Sequence, residues 1–388
     1  MKNSILKNIF YITMLFLFIH SMYPWFTFEY ENAYLSLGAL GITAFVGFQT
    51  KIFQRNKSSI IVSILFLCLY LWLSKYSNIF GSLELIIQWL ILCYIVSLKY
   101  EYKIQLIEFI TKWFAILMSI SLGAYILFLS GVSFPGTIVE YQQYFMDNHY
   151  FFLQKELFRF QSVFLEPGHM TMGLAPLLFI NKYNLKNRYV LILFIAQMLS
   201  LSLAGYMMMM IGYSVLFLFD KQSKKSKFIS VLLSAILICS VAIFMQNSFE
   251  NNVFDDLIFR RMQFDNGHFV GDNRSSVYLD RQFEDVVSSS DILTGRYFNA
   301  EMSEKGVAGY KKFIVQYGLI GCVLLILSFF STYKLLIYKH RRNAFLLVIM
   351  ILLLLLQNAY PTWWCIVIAT ICGTTFMQNK EISNTLAK

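Results

Sequence analysis

The sequence is 388 residues long, 57% of them apolar and only 14% charged, with long apolar runs from end to end. A water-soluble chain does not carry so much apolar surface, which excludes soluble enzymes and nucleic-acid-binding domains and specifies an all-α integral membrane protein, one polytopic domain over 1–388. The net charge of +10 is gathered in Lys/Arg clusters between apolar runs, a pattern that reports topology rather than an acidic partner.

A span needs about 20 apolar residues. Runs near that length lie at 8–23, 33–50, 58–74, 82–98, 106–130, 168–181, 189–203, 204–219, 228–245, 308–333, 343–359 and 362–377, giving eleven to twelve transmembrane helices. The first follows Lys2 and Lys7 as a secretory leader would, but no A-x-A-like cleavage site follows it, so it is expected to stay as a span. Clusters at Lys51/Arg55/Lys57, Lys99/Lys103, Lys182/Lys186/Arg188, Lys221/Lys224/Lys225/Lys227, Lys334/Lys339/Arg341/Arg342 and Lys380/Lys388 alternate with connections poor in them. The positive-inside rule assigns these clusters and both termini to the cytoplasm.

The run Tyr189 to Phe219 would reach ~46 Å as one helix, too long for one span and short for two. Both its flanks are basic, so it is expected to go out and return, broken near Ser200-Leu201-Ser202-Leu203-Ala204-Gly205. Non-helical backbone at that depth needs protein or a water-filled cavity to satisfy it. The break therefore implies either a cavity or a hairpin sealed by small residues. The six cysteines all sit inside apolar runs without C-x-x-C or metal-ligand spacing and read as small buried hydrophobes.

Two long polar segments, 131–167 and 246–307, then fall outside the cytoplasm. They hold Arg159, Arg260, Arg261, Arg274, Arg281 and Arg296, on the side where the topology rule depletes arginine. Guanidinium forks match phosphate oxygens bidentately where lysine offers a point charge, so a pyrophosphate substrate would account for them. The plainer alternative is a solvated loop held by pairs such as Asp272/Arg274 or Asp280/Arg281. At the end of the first segment, Glu166 precedes Pro167 and an apolar run, the position of a helix N-cap or of a carboxylate facing the membrane surface.

Four stretches carry a family likeness. Arg159, Phe164, Glu166 and Pro167 match an R-x-x-G-x-F-x-E-P pattern, with Ser162 where that pattern has glycine. Ser200 to Gly205 matches S-x-S-x-x-G, and Asp272-Asn273-Arg274-Ser275 matches D-N-R-S. Ile292-Leu293-Thr294-Gly295 and Gln316-Tyr317-Gly318-Leu319-Ile320-Gly321 match an L-x-G turn followed by Y-G-L-I-G, although Arg296 replaces a second glycine. In this order the stretches resemble the Wzy-type polysaccharide polymerases of the O-antigen polymerase and ligase group.

The resemblance implies a GT-C-like architecture in the bacterial inner membrane and a metal-independent inverting glycosyltransferase without a cofactor. A glycan would leave undecaprenyl pyrophosphate and join a hydroxyl of another lipid-linked repeat unit; membrane lipid, a chain-length regulator and a flippase are the implied partners. Arg159, Arg274 and Arg281 would clamp the pyrophosphate, with Arg260, Arg261 and Arg296 behind them. Glu166 is the first candidate base, His268 the rival, whose ordinary pKa suits proton transfer near neutrality, and His169 the third. The alternatives are an O-antigen ligase using the same donor, and a secondary transporter or lipid-linked oligosaccharide flippase. Against the last, the polar residues cluster in outer segments rather than at the midplane.

Overall fold

The computed structural model describes residues 2–30, 32–54, 56–141, 144–155, 159–219, 264–265, 268–269, 276–299, 309–337, 341–358 and 360–386. Among the described residues are twelve α-helices: α1 (Lys2–His20), α2 (Asn32–Gln49), α3 (Lys57–Leu73), α4 (Ile79–Ser97), α5 (Tyr100–Leu129), α6 (Pro167–Ile180), α7 (Arg188–Leu199), α8 (Leu203–Phe219), α9 (Val277–Val287), α10 (Gly309–Leu335), α11 (Arg341–Gln357) and α12 (Trp364–Leu386). The expected spans fall on α1–α8 and α10–α12, except 228–245, which lies outside the described residues. Four helical stretches, Lys57–Tyr76, Ile79–Ser97, Tyr100–Leu129 and Gly309–Leu335, are long and apolar enough to cross a membrane. Large apolar side chains lie fully outward on them and their neighbours, Phe48 at 87% and Ile79 at 85% exposure, as a lipid-facing surface requires. The chain is a mostly helical membrane protein.

Polar residues fix where several helices begin. The Asn56 side chain accepts from Ser59 N–H at 2.7 Å to open α3, Asn78 accepts from Gly81 N–H at 2.7 Å to open α4, and Asn187 accepts from Tyr189 N–H to open α7. Pro167, without an N–H to leave unpaired, opens α6.

By contacts the chain forms two compact units, and α1 and α5 are each divided between them. In the unit comprising Met1–Met14, Glu31–Leu106 and Gln263–Lys388, α10 packs along α3, α2 and α3 on α4, and α11 between α10 and α12. Its connections sort to two ends. At one end the α2–α3 connection pairs with the α4–α5 connection, through Gln54 N–H to Ser97 O and Lys99 N–H to Ile52 O, and Lys7 Nζ meets Gln105 Oε1. This joins the basic clusters at 51–57 and 99–103, as the charge pattern requires. At the opposite end of α3, Trp72, Lys75 and Tyr76 bind the 294–317 backbone.

The same unit carries α9, which lies in the segment read from sequence as a loop. Ser276 caps it by accepting from Leu279 N–H, and its apolar stripe buries Leu279 and Val286 against Phe298 and Val315. The β4 (Phe264–Asp265) and β5 (His268–Phe269) hairpin pairs Asp265 with His268.

In the unit comprising Leu15–Tyr30 and Ile107–Met262, α6 packs on α7 and α8. The 131–167 segment, expected as a loop of an all-α protein, contains a three-stranded antiparallel sheet of β1 (Thr137–Tyr141), β2 (Tyr144–Asn148) and β3 (Leu153–Gln154). Period-two patterning explains it. Ile138, Glu140, Phe145 and Asp147 face outward, whereas Met146 is buried with Leu153 and Leu165 under Tyr23, Trp25, Phe28 and Tyr141. Asn181 Nδ2, at the other end of α6, meets Thr111 Oγ1.

Candidate functional site

The residues 159–168 are held from two sides. On one, they pair with the chain that follows α1: Trp25 N–H donates to Val163 O at 2.9 Å and Leu165 N–H to Tyr23 O at 2.9 Å. On the other, Phe160 N–H donates to Leu199 O at 3.0 Å and Arg159 Nε to Ser200 O at 3.4 Å. The R-x-x-x-x-F-x-E-P and S-x-S-x-x-G stretches are therefore spatial neighbours.

The break is where sequence placed it, at 200–202 between α7 and α8, with Leu201 at φ 44°. Ser200 Oγ accepts from Ser202 N–H, and Ser202 Oγ from Gly205 N–H, so the serines satisfy backbone that helix geometry abandons. Beneath the break lies Gln197, fully buried, with no hydrogen-bond partner at its amide oxygen or nitrogen among the described residues. Gly205 packs directly against that amide, with the Thr171 methyl beside it. Tyr206, the next residue, donates its hydroxyl to Met198 O and feels the charge of Arg159. Gln197 was not among the residues singled out from sequence. The signal was present, since an amide inside an otherwise apolar run is a polar group the membrane selects against unless it acts.

Glu166 occupies the N-cap position of α6 in extended conformation, φ −143° and ψ 150°, and is half-buried. Its carbonyl accepts from His169 and Met170 N–H, but its carboxylate makes no capping hydrogen bond. The simple side-chain cap is thus not what this residue provides. His169 sits one turn on, its ring 5.5 Å from that of Tyr23, which in turn faces Tyr141, whose hydroxyl burial pushes above its usual pKa. Ser162, at the motif's glycine position, has φ 54° and is fully buried. That left-handed backbone is the physical reason a glycine suits the position.

In the other unit, the L-x-G and Y-G-L-I-G stretches interlock. Gly295 (φ 70°) and Gly318 (φ 60°) lie backbone to backbone; a Cβ on Gly318 would stand 2.5 Å from Leu293 O and 2.6 Å from Gly295 N. Gly318 breaks α10, and the freed groups are used: Arg296 N–H donates to Val315 O, Ile320 N–H to Leu293 O, and Trp72 Nε1 to Tyr317 O.

The arginines of 246–307 divide in role. Arg296 is tied to structure, with Nη2 3.3 Å from Asp285 Oδ2 and 3.2 Å from Gln282 O. Arg281 is exposed on α9. The suggested Asp280/Arg281 pair is not the one formed, because Asp280 reaches Lys311 at 2.7 Å from the adjacent helix α10. Neighbours in sequence on a helix point about 100° apart, whereas Lys311 faces α9 across the packing contact. Arg260, Arg261 and Arg274 lie outside the described residues, and His268 is placed only as a backbone position on β5. No family model, curated protein or solved structure matches the chain.

Proposed function

We propose that this protein is a polysaccharide polymerase of the Wzy type, moving a glycan from undecaprenyl pyrophosphate to the non-reducing end of another undecaprenyl-pyrophosphate-linked repeat unit. The finer reading includes twelve spans of GT-C-like arrangement in a bacterial inner membrane, termini in the cytoplasm, and 131–167 and 246–307 on the outer side. The observation that carries it is Arg159 bound to the carbonyl of Ser200, at a helix break that buries the unpaired amide of Gln197. A buried amide without a partner among the described residues, beside a guanidinium and a helix break, is costly in an apolar bundle unless it meets a polar substrate.

The chemistry asks little else of the protein. The acceptor hydroxyl attacks the anomeric carbon, the bond from that carbon to the pyrophosphate oxygen breaks with inversion, and undecaprenyl pyrophosphate departs. The hydroxyl proton passes to a base within hydrogen-bond reach, for which Glu166 is preferred over His169 and His268. Charge on the departing pyrophosphate is stabilised by guanidinium, with Arg159 the first candidate. Arg281, exposed on α9, is retained as a diphosphate contact, and Arg296, already engaged by Asp285, is demoted to a structural residue.

The test is purified protein given only lipid-linked repeat units. Lengthening into a ladder supports the polymerase. Transfer only when a different acceptor is supplied would make the protein a ligase, and absence of transfer with any acceptor would remove the enzyme reading.

A further inference from the structure

At the basic end of α2, α3 and α4 lies a cavity of about 360 Å³, within the ~300–1,000 Å³ range of ligand sites. It is walled by Gly47 and Phe48 of α2, Cys93, Tyr94 and Ser97 of α4, and Phe53 of the connection between α2 and α3. Gly47 is what admits the Tyr94 ring, since a Cβ there would stand 2.7 Å from it. Phe48 in its wall is an almost fully exposed phenyl ring at the end of the apolar helix α2, so the cavity borders an outward-facing apolar surface.

The stretches 51–57 and 99–103 beside it carry Lys51, Arg55, Lys57, Lys99 and Lys103 against one carboxylate, Glu101. Phe53 and Ser97 belong to the paired connections, bridged Phe53 to Leu98 and Gln54 to Ser97. Lys51 and Lys99 flank that pairing, the first exposed and the second half-buried, and among the described residues neither has an ion-pair partner. Lys57 opens α3, where a cation opposes the helix dipole and so gains nothing from its own helix.

We propose that this cavity takes an acyl chain of an anionic phospholipid whose phosphate is met by Lys51 and Lys99. An apolar slot bordered by an exposed phenyl ring fits a tail, and two ammonium groups without an ion-pair partner among the described residues fit a headgroup phosphate. The cavity holds most of one acyl tail but only a fraction of a polyprenyl chain. This site is independent of the glycosyl-transfer reading.

The experiment is native mass spectrometry of the full chain released from nanodiscs containing phosphatidylglycerol and phosphatidylcholine. Phosphatidylglycerol is expected to be retained preferentially, and Lys51→Gln with Lys99→Gln to cut that preference about 30-fold, about tenfold for every 1.4 kcal/mol with each lysine contributing about 1 kcal/mol at the headgroup. Cys93→Trp, filling the slot, is expected to release both lipids; Ser97→Leu serves the same purpose if the tryptophan variant fails to fold by gel filtration. A preference unchanged in the lysine variant overturns the proposal, as does full lipid retention in a folded slot-filling variant. Polyprenyl phosphate displacing phosphatidylglycerol at equal concentration would reassign the slot to the carrier lipid.

Discussion

Arg159 Nε donates to the carbonyl of Ser200, 3.4 Å away and 41 residues on in the chain. The contact couples the 131–167 segment to the helix break, and it is long and half-exposed, so little stability depends on this one hydrogen bond. Loss of this hydrogen bond alone is expected to cost about 1 kcal/mol or less in thermal unfolding of Arg159→Ala. Transfer should fall by about 100- to 1,000-fold, the loss of one charge-stabilising donor. Arg159→Lys should recover only part of the rate, because the fork is lost. A large loss of stability with residual activity intact would make the residue structural.

Gln197 offers the opposite separation. With both amide atoms buried and unpaired, Gln197→Leu removes a desolvation cost of about 1–3 kcal/mol. Thermal unfolding in detergent should shift upward while the polymer ladder shortens. An unchanged ladder in the stabilised variant would show that the amide takes no part in transfer.

Ser162 holds a left-handed backbone and buries a hydroxyl without a partner among the described residues. Ser162→Gly should stabilise by about 1 kcal/mol, and Ser162→Val, β-branched at positive φ, should destabilise by more than that. Chemical unfolding of the three proteins orders them directly; valine equal to glycine would contradict the backbone argument.

The contact of Gly295 with Gly318 leaves no room for a methyl group. Gly318→Ala places Cβ 2.5 Å from Leu293 O at φ 60°, and a loss of at least ~3 kcal/mol or failure to insert is expected. Gly38→Ala is the control: it lies inside α2 with nothing within 4 Å, and alanine there should be neutral or stabilise by up to ~1 kcal/mol. Equal effects at both sites would remove the interlock.

Arg281 and Arg296 should part company. Arg296→Ala breaks the contacts to Asp285 and Gln282, and its effect should appear as about 0.5–1 kcal/mol of stability with little change in KM for the donor. Arg281→Ala should leave stability unchanged and raise KM. The reverse pattern would exchange their roles.

Much of this was legible because the relevant physics is local. Pro167 opening α6, the break at Ser200 to Gly205 and the apolar spans follow from backbone chemistry and hydropathy read within a few residues. The helix α9 was legible too, with Ser276 as cap and Leu279, Phe283 and Val286 on one stripe, but a search for 20-residue apolar runs passes over an amphipathic helix of 11 residues. The sheet at 137–154 was harder, because a strand is stabilised by its partner rather than by itself.

The sequence by itself determined that the protein lives in a membrane, where the long apolar helices of the described residues run, and where lysines cluster, since bilayer partitioning depends on composition summed along the chain. Only the tertiary structure decided that Arg159 meets Ser200, that Gly295 meets Gly318, that Asp280 takes Lys311 rather than its neighbour Arg281, and that Gln197 is buried without a partner among the described residues. Each of these depends on which distant surfaces pack together, and packing selects among contacts that the linear order leaves equally open.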